Sequence, residues 1–170
     1  MTRRLGLLLL LALPALGGCG LRPLYAGGGS GAVASSLSAV EVAPIDERTG
    51  WLVRNALLDR LSPRGAAQYR LELDLDDNIS SFGIRGDSAA TRERRTIRAR
   101  YRLVAVGTGQ TVLDATAGAD AGIDVVSSPY ATVAAEESAS ERLAAVLADQ
   151  IVARLGLYFR SGAAPDPAAR

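Results

Sequence analysis

A chain of 170 residues with 48% hydrophobic side chains has room for one domain with a true core. It contains no histidine, which excludes Ser-His-Asp and Cys-His catalysis and removes the commonest zinc ligand. All 19 basic residues are arginine and face 18 acids, a formal +1, so no global positive excess points to nucleic acid.

Arg3 and Arg4 precede an apolar run from Leu5 to Leu16, and small residues then lead to Cys19, the only cysteine. This is the layout of a secretory signal peptide over residues 1–18. The run is too short for a transmembrane helix, which needs about 20 apolar residues, and Pro14 interrupts it. Leu16-Gly17-Gly18-Cys19 further resembles the lipobox of bacterial lipoproteins. That resemblance implies a diacylglyceryl thioether and an N-acyl (palmitate-type) chain on Cys19, and no other cofactor. The mature protein would then begin at Cys19 and hang from a membrane by its lipid, each buried methylene contributing about 0.8 kcal/mol. Losing Arg3 and Arg4 moves the formal charge from +1 to −1.

Residues 19–36, rich in Gly, Ser and Ala, read as a flexible tether. The folded domain is expected over 37–160, with a frayed tail over 161–170. Leu37 to Ile45 alternates and predicts a first strand, broken by Pro44 and Asp46. Asp46 is placed to cap a helix from Glu47 to Leu61, with Val53, Ala56, Leu57 and Leu61 on one face and Trp51 and Leu58 flanking. Ser62-Pro63-Arg64-Gly65 stops it.

Tyr69 to Asp77 is the clearest strand: Tyr69, Leu71, Leu73 and Leu75 point one way, Arg70, Glu72, Asp74 and Asp76 the other. Thr96 to Val106 repeats the pattern with Ile97, Ala99, Tyr101 and Leu103 inward and Arg98, Arg100 and Arg102 outward. The two charged faces match if the strands pair antiparallel. Gly107-Thr108-Gly109-Gln110 is a turn, and Thr111 to Gly118 the next strand. Ser128 as N-cap and Pro129 in the first turn open a final helix over Ala131 to Leu157, with Leu143, Val146, Leu147, Ile151 and Leu155 at helical spacing and Gly156 weakening its end. Glu136, Glu137 and Glu141 suit its N-terminal dipole. The predicted fold is α+β: a two-layer sandwich of a four-stranded, mostly antiparallel sheet with two helices on one face, in the order β-α-β-β-β-α. The first strand–helix–strand unit should cross over right-handed if its strands are parallel neighbours.

Several blocks resemble the LptE lipopolysaccharide-assembly lipoproteins in their alphaproteobacterial form. They are Gly18-Cys19-Gly20-Leu21-Arg22-Pro23-Leu24-Tyr25, the helix segment Leu52 to Leu61, the strand Tyr69-Arg70-Leu71-Glu72-Leu73, and Val125-Val126-Ser127-Ser128-Pro129-Tyr130-Ala131-Thr132-Val133-Ala134-Ala135-Glu136-Glu137 running on to Leu155-Gly156-Leu157-Tyr158-Phe159. The resemblance implies a non-enzymatic lipoprotein in the periplasmic leaflet of the outer membrane. Its partners would be an LptD-type β-barrel, which it plugs and helps assemble, and lipopolysaccharide on its way to the outer leaflet. Gly20 after the cysteine, where enteric inner-membrane lipoproteins carry aspartate, fits outer-membrane sorting. The alternative is a lipid-anchored accessory module of another envelope complex, for barrel assembly or lipid transport. A lipid-anchored hydrolase would need converging carboxylates, and the acids here lie on solvated faces.

Between residues 85 and 102 seven arginines are opposed only by Asp87 and Glu93. Arginine forks bind phosphate well. Cross-strand neutralisation accounts for Arg98, Arg100 and Arg102. Arg85 belongs to the same cluster, and Arg92, Arg94 and Arg95 at the loop-to-strand edge are candidates for lipopolysaccharide or for acidic groups of the barrel wall, with ordinary solvation as the other reading. The stretch Ile79 to Thr91 is long for a hairpin loop. Phe82 and Ile84 within it either meet the barrel lumen or acyl chains, or tuck back under the sheet, which is the simpler account. Tyr130 is a candidate partner contact, tyrosine being enriched at interfaces.

Overall fold

The computed structural model describes residues 31–84, 90–126 and 128–162. Among these residues seven elements follow in order: α1 (Ala32–Ser38), β1 (Val40–Val42), α2 (Glu47–Leu61), β2 (Tyr69–Ile84), β3 (Ala90–Ala105), β4 (Thr111–Asp124) and α3 (Pro129–Arg160). The sheet has the order β1-β2-β3-β4. β1 and β2 are parallel, with Val40 beside Tyr69, and the other two pairings are antiparallel. The predicted α+β architecture is therefore observed, with one helix more.

That extra helix is a difference from the sequence reading. Ala32–Ser38 is helical, so the last residues of the predicted tether are ordered, and Leu37 enters the core instead of opening β1. β1 shortens to three residues in consequence. α2 occupies its predicted bounds and buries Thr49, Gly50, Val53, Leu57 and Leu61. Asp46 takes the N-cap position, though its side chain makes no capping hydrogen bond. Ser62 ends the helix in the left-handed region, its N–H donating to the Leu58 carbonyl at 2.8 Å.

The predicted alternation of β2 and β3 holds. Leu71, Ile97, Ala99, Tyr101 and Leu103 are buried on the helix-covered face, and Glu72, Asp74 and Asp76 stand directly opposite Arg102, Arg100 and Arg98 on the open face. Two of those pairings differ in detail, because β3 lies between two acidic neighbours. Arg102 reaches Glu72 at 3.4 Å, but Arg100 grips Asp114 of β4 through two bonds of 3.2 and 2.9 Å. Arg98 lies across Gly118, whose missing side chain makes room for its guanidinium. These surface pairs each contribute at most about 1 kcal/mol.

α3 is longer than predicted at both ends and crosses the whole molecule. Leu143, Leu147, Ile151 and Leu155 are buried as expected, whereas Val146 points to solvent. Gly156 does not end the helix; it is buried, and the helix continues to Arg160. Arg48 pairs with Glu137 at 2.8 Å and Arg60 with Asp149 at 2.6 Å. Both pairs have the same sequence offset, so α2 and α3 run parallel and in step. Glu137 thus serves a helix–helix contact, and Glu136 lies two turns inside α3, beyond the reach of the dipole at its start. Leu57, Leu147 and Leu155 seal this layer against Leu71 and Leu103, at about 1.5–3 kcal/mol per fully buried side chain. At the near end Tyr69 and Phe159 close the core, ring centroids 5.3 Å apart.

Candidate functional site

The predicted long loop is mostly strand. β2 continues to Ile84 and β3 resumes at Ala90, so Ile79 to Phe82 are paired, Phe82 opposite Arg92 and Ser80 opposite Arg94. The hairpin is an arm. Ala39, at the end of α1, accepts bonds from Gln68 and Tyr69 at the start of β2. Phe82 lies thirteen residues further along, roughly 40 Å away at about 3.3 Å per residue.

On the open face of this arm Phe82 is 42% exposed and does not tuck under the sheet. The Arg94 guanidinium carbon stands 5.6 Å from the Phe82 ring centroid, a cation–π contact that holds both side chains up together. Arg92, directly opposite Asp124 of β4, donates to its carboxylate at 3.2 Å, both groups being well exposed. Tyr130, in the first turn of α3, is 88% exposed. Ser128 holds the N-cap position and Pro129 the first turn, as the sequence suggests; the cap uses the Ser128 carbonyl, which accepts from Ala131 and Thr132, and not its hydroxyl.

Arg95 is different. Residues 77 and 95 fall on the helix-covered face by strand parity, and Thr49 lies on the buried face of α2. Arg95 Nε and Nη2 donate to the two Asp77 oxygens at 2.9 and 2.5 Å, Nη2 also to Thr49 Oγ1 at 3.2 Å, and Nη1 to the Glu136 carbonyl at 3.3 Å. Thr49 Oγ1 donates to Asp77 at 2.6 Å. The paired side chains are only 15% and 13% exposed. Burial acts to raise the Asp77 pKa, but the bonds from Arg95 and Thr49 and the Arg95 charge outweigh it, so the carboxyl titrates below its ordinary range. Arg95 is raised chiefly by its bond to Asp77, against the cost of burial. The group is a clamp joining β2, β3, α2 and α3, and Arg95 is withdrawn from the surface set.

Cys19 and Arg85 lie outside the described residues. Among the described residues no three acids or thiols come together as metal ligands, and no helix is long and apolar enough to cross a membrane. The sequence reading missed the Thr49–Asp77–Arg95 clamp, although parity carried the signal: on the inner face a polar residue adjoins the apolar run of each strand, Asp77 after it in β2 and Arg95 before it in β3.

These features define a two-layer α+β module with an uncovered polar sheet face and an arginine–aromatic cluster on a projecting hairpin. A family model described as LptE, lipopolysaccharide-assembly, matches residues 37–155, and the chain belongs to that family. It is similar to the crystal structure of a candidate lipoprotein from Caulobacter crescentus, at 26% identity and TM-score 0.64 over 75% of this chain and 96% of that one. A minor lipoprotein from Acinetobacter baumannii (10% identity, TM-score 0.53, 69% and 88% covered) shares the fold. So does rare lipoprotein B from Shewanella oneidensis (16%, 0.51, 72% and 95%). No curated protein sequence matches the chain.

Proposed function

We propose that this chain is an outer-membrane lipoprotein that plugs and helps assemble an LptD-type β-barrel and takes part in lipopolysaccharide insertion, without catalysing a reaction. Family membership supports the lipopolysaccharide-assembly role. The observation that carries the finer reading is the hairpin arm. It projects the Phe82, Arg92 and Arg94 cluster roughly 40 Å from the end of α1, a length close to the ~40–45 Å of a bilayer with its headgroups. A chain tethered by Cys19 to the periplasmic leaflet would thereby reach far into a barrel lumen. The lumen of such barrels is polar, and the open face of this sheet carries charged columns, basic on β3 and acidic on β2 and β4. Arg92 and Arg94 suit the phosphates of lipopolysaccharide, and Phe82 its acyl chains.

The test is purification from membranes in mild detergent. The wild-type chain is expected to bring a stoichiometric large β-barrel and lipopolysaccharide. Recovery alone, or with an unrelated envelope complex, would overturn the assignment. Cys19→Ala is expected to leave the membrane fraction and lower the amount of assembled barrel; unchanged fractionation would remove the lipid anchor from the account.

A further inference from the structure

Among the described residues β4 is an edge strand: its inner side pairs with β3, and it closes the strand order of the sheet. Fourteen residues long, without proline, it offers the kind of edge that invites pairing with another chain. At its middle, the Gly118 N–H donates to Gln150 Oε1 at 3.3 Å, and Gln150 Nε2 donates to the Gly118 carbonyl at 3.2 Å. The Gln150 carboxamide, reaching down from α3, thus occupies both groups that Gly118 turns outward. Two residues of adjacent antiparallel strands exchange this same pair of bonds.

The edge is also self-complementary about Gly118. Set two copies of β4 antiparallel with Gly118 opposite Gly118. On the helix-covered face Leu113 then meets Ile123, Ala115 meets Ala121, and Ala117 meets Ala119. On the open face Asp114 meets Gly122 and Thr116 meets Asp120, while Val112, beyond the β3–β4 register shift and packed against the core, stands beside Asp124. No aspartate of one copy faces an aspartate of the other; each copy's Arg98 lies across its own Gly118 at the axis, flanked there by Asp120 of both copies. Above the edge, Val146, Gln150, Ala153 and Leu157 lie within about 60° of one another on α3 at ~100° per residue. Val146 and Leu157 are 45% and 43% exposed, and this stripe would meet its own copy across the same two-fold axis.

We propose that the β4 edge is a self-pairing surface for a second copy of this chain, and that Gln150 is the latch that keeps it closed. The dimer it prevents is unproductive. A two-fold axis through Gly118 sends the two hairpin arms in opposite directions, so both chains could not stand in the same sense on one membrane.

The test uses the full mature chain in mild detergent, with micelles in excess over protein, followed by sedimentation velocity. Wild type is expected to be monomeric. Gln150→Ala, and Gln150→Asn whose amide is one methylene short, are expected to dimerise at a concentration about tenfold or more below any wild-type self-association, the effect of releasing one pair of hydrogen-bonding groups. Adding Gly122→Asp to Gln150→Ala sets carboxylates opposite Asp114 at both symmetric positions. A Cβ at residue 122 meets nothing within 4 Å, so the substitution fits the monomer. It is expected to restore the monomer. Folded Gln150 variants that stay monomeric, dimers indifferent to Gly122→Asp, or a wild-type dimer would each overturn the proposal.

Discussion

Replacing Arg95 with alanine tests whether the clamp is structural. The guanidinium makes four bonds to three elements, and its loss leaves Asp77 facing Thr49 alone in a site where both members of the ion pair are about 85% covered. Breaking a fully buried pair costs about 3–5 kcal/mol, because a charge is left uncompensated. The residual exposure trims this, so about 2–4 kcal/mol is expected. With a urea slope of about 2 kcal/mol per molar, the midpoint should fall by roughly 1–2 M. Circular dichroism during urea unfolding at pH 7 reads it. Arg92→Ala is the control: its pair with Asp124 is well exposed, and a shift under about 1 kcal/mol is expected. Arg95→Met combined with Asp77→Leu should recover most of the loss, since neither charge then remains buried. A loss for Arg95→Ala no larger than that for Arg92→Ala would refute the reasoning and return Arg95 to the candidate ligands.

Asp77 has a pKa depressed in the folded state, so its contribution is present above the unfolded value of about 3.9 and is lost as pH falls through the folded one. Asp77→Asn should therefore flatten the fall in stability below about pH 4, as read by acid titration of the urea midpoint. Gly50→Ala would bring a Cβ to 2.7 Å from Ile45 Cγ2 and 2.9 Å from the Ile45 carbonyl oxygen, forcing the chain before α2 to move; a loss of about 1–3 kcal/mol in thermal unfolding is expected. Leu147→Ala, fully buried between the helix layer and the sheet, should cost about 2–5 kcal/mol by the same assay. Phe82→Ala with Arg94→Ala should cost no more than about 1 kcal/mol of stability, the worth of an exposed cation–π contact, while lowering the lipopolysaccharide recovered with the chain.

The sheet and its helices were legible because their periodicities are undiluted. Tyr69 to Leu75 and Ile97 to Leu103 alternate without a break, and that fixed both the apolar face and the antiparallel register of the charges. α2 was legible to the residue because Asp46 and Ser62 bracket a clean apolar stripe. The failures are equally physical. Ala32–Ser38 has the small-residue composition of a linker and becomes a helix through tertiary packing, with Leu37 buried. The hairpin was cut short because Asn78, Ser80, Ser81 and Gly83 are poor strand formers. Asn78, Ser80 and Ser81 are held in β2 by pairing with Thr96, Arg94 and Glu93, a long-range term that local propensity does not contain. Arg95 was grouped with its neighbours by charge, when its odd parity set it on the other face.

That parity difference carries the division of labour in the site. Arg92 and Arg94 are even and stand on the open face, where one is held by Asp124 and the other by the ring of Phe82. Arg95, one residue on, faces the helices and ties β3 to Asp77, Thr49 and the Glu136 carbonyl. The arm is three-stranded as far as Arg92, where β3 still pairs with Asp124 of β4, and only the tip beyond is a two-stranded hairpin, marginal by itself in water. The clamp lies between the packed core and the tip, and it also fixes the stretch of α3 that follows Tyr130. The same run of arginines thus supplies an exposed cationic edge and the buried anchor that keeps that edge in place. Loss of Arg95 should therefore weaken partner binding through geometry, in step with its effect on stability, whereas loss of Arg94 should weaken binding alone.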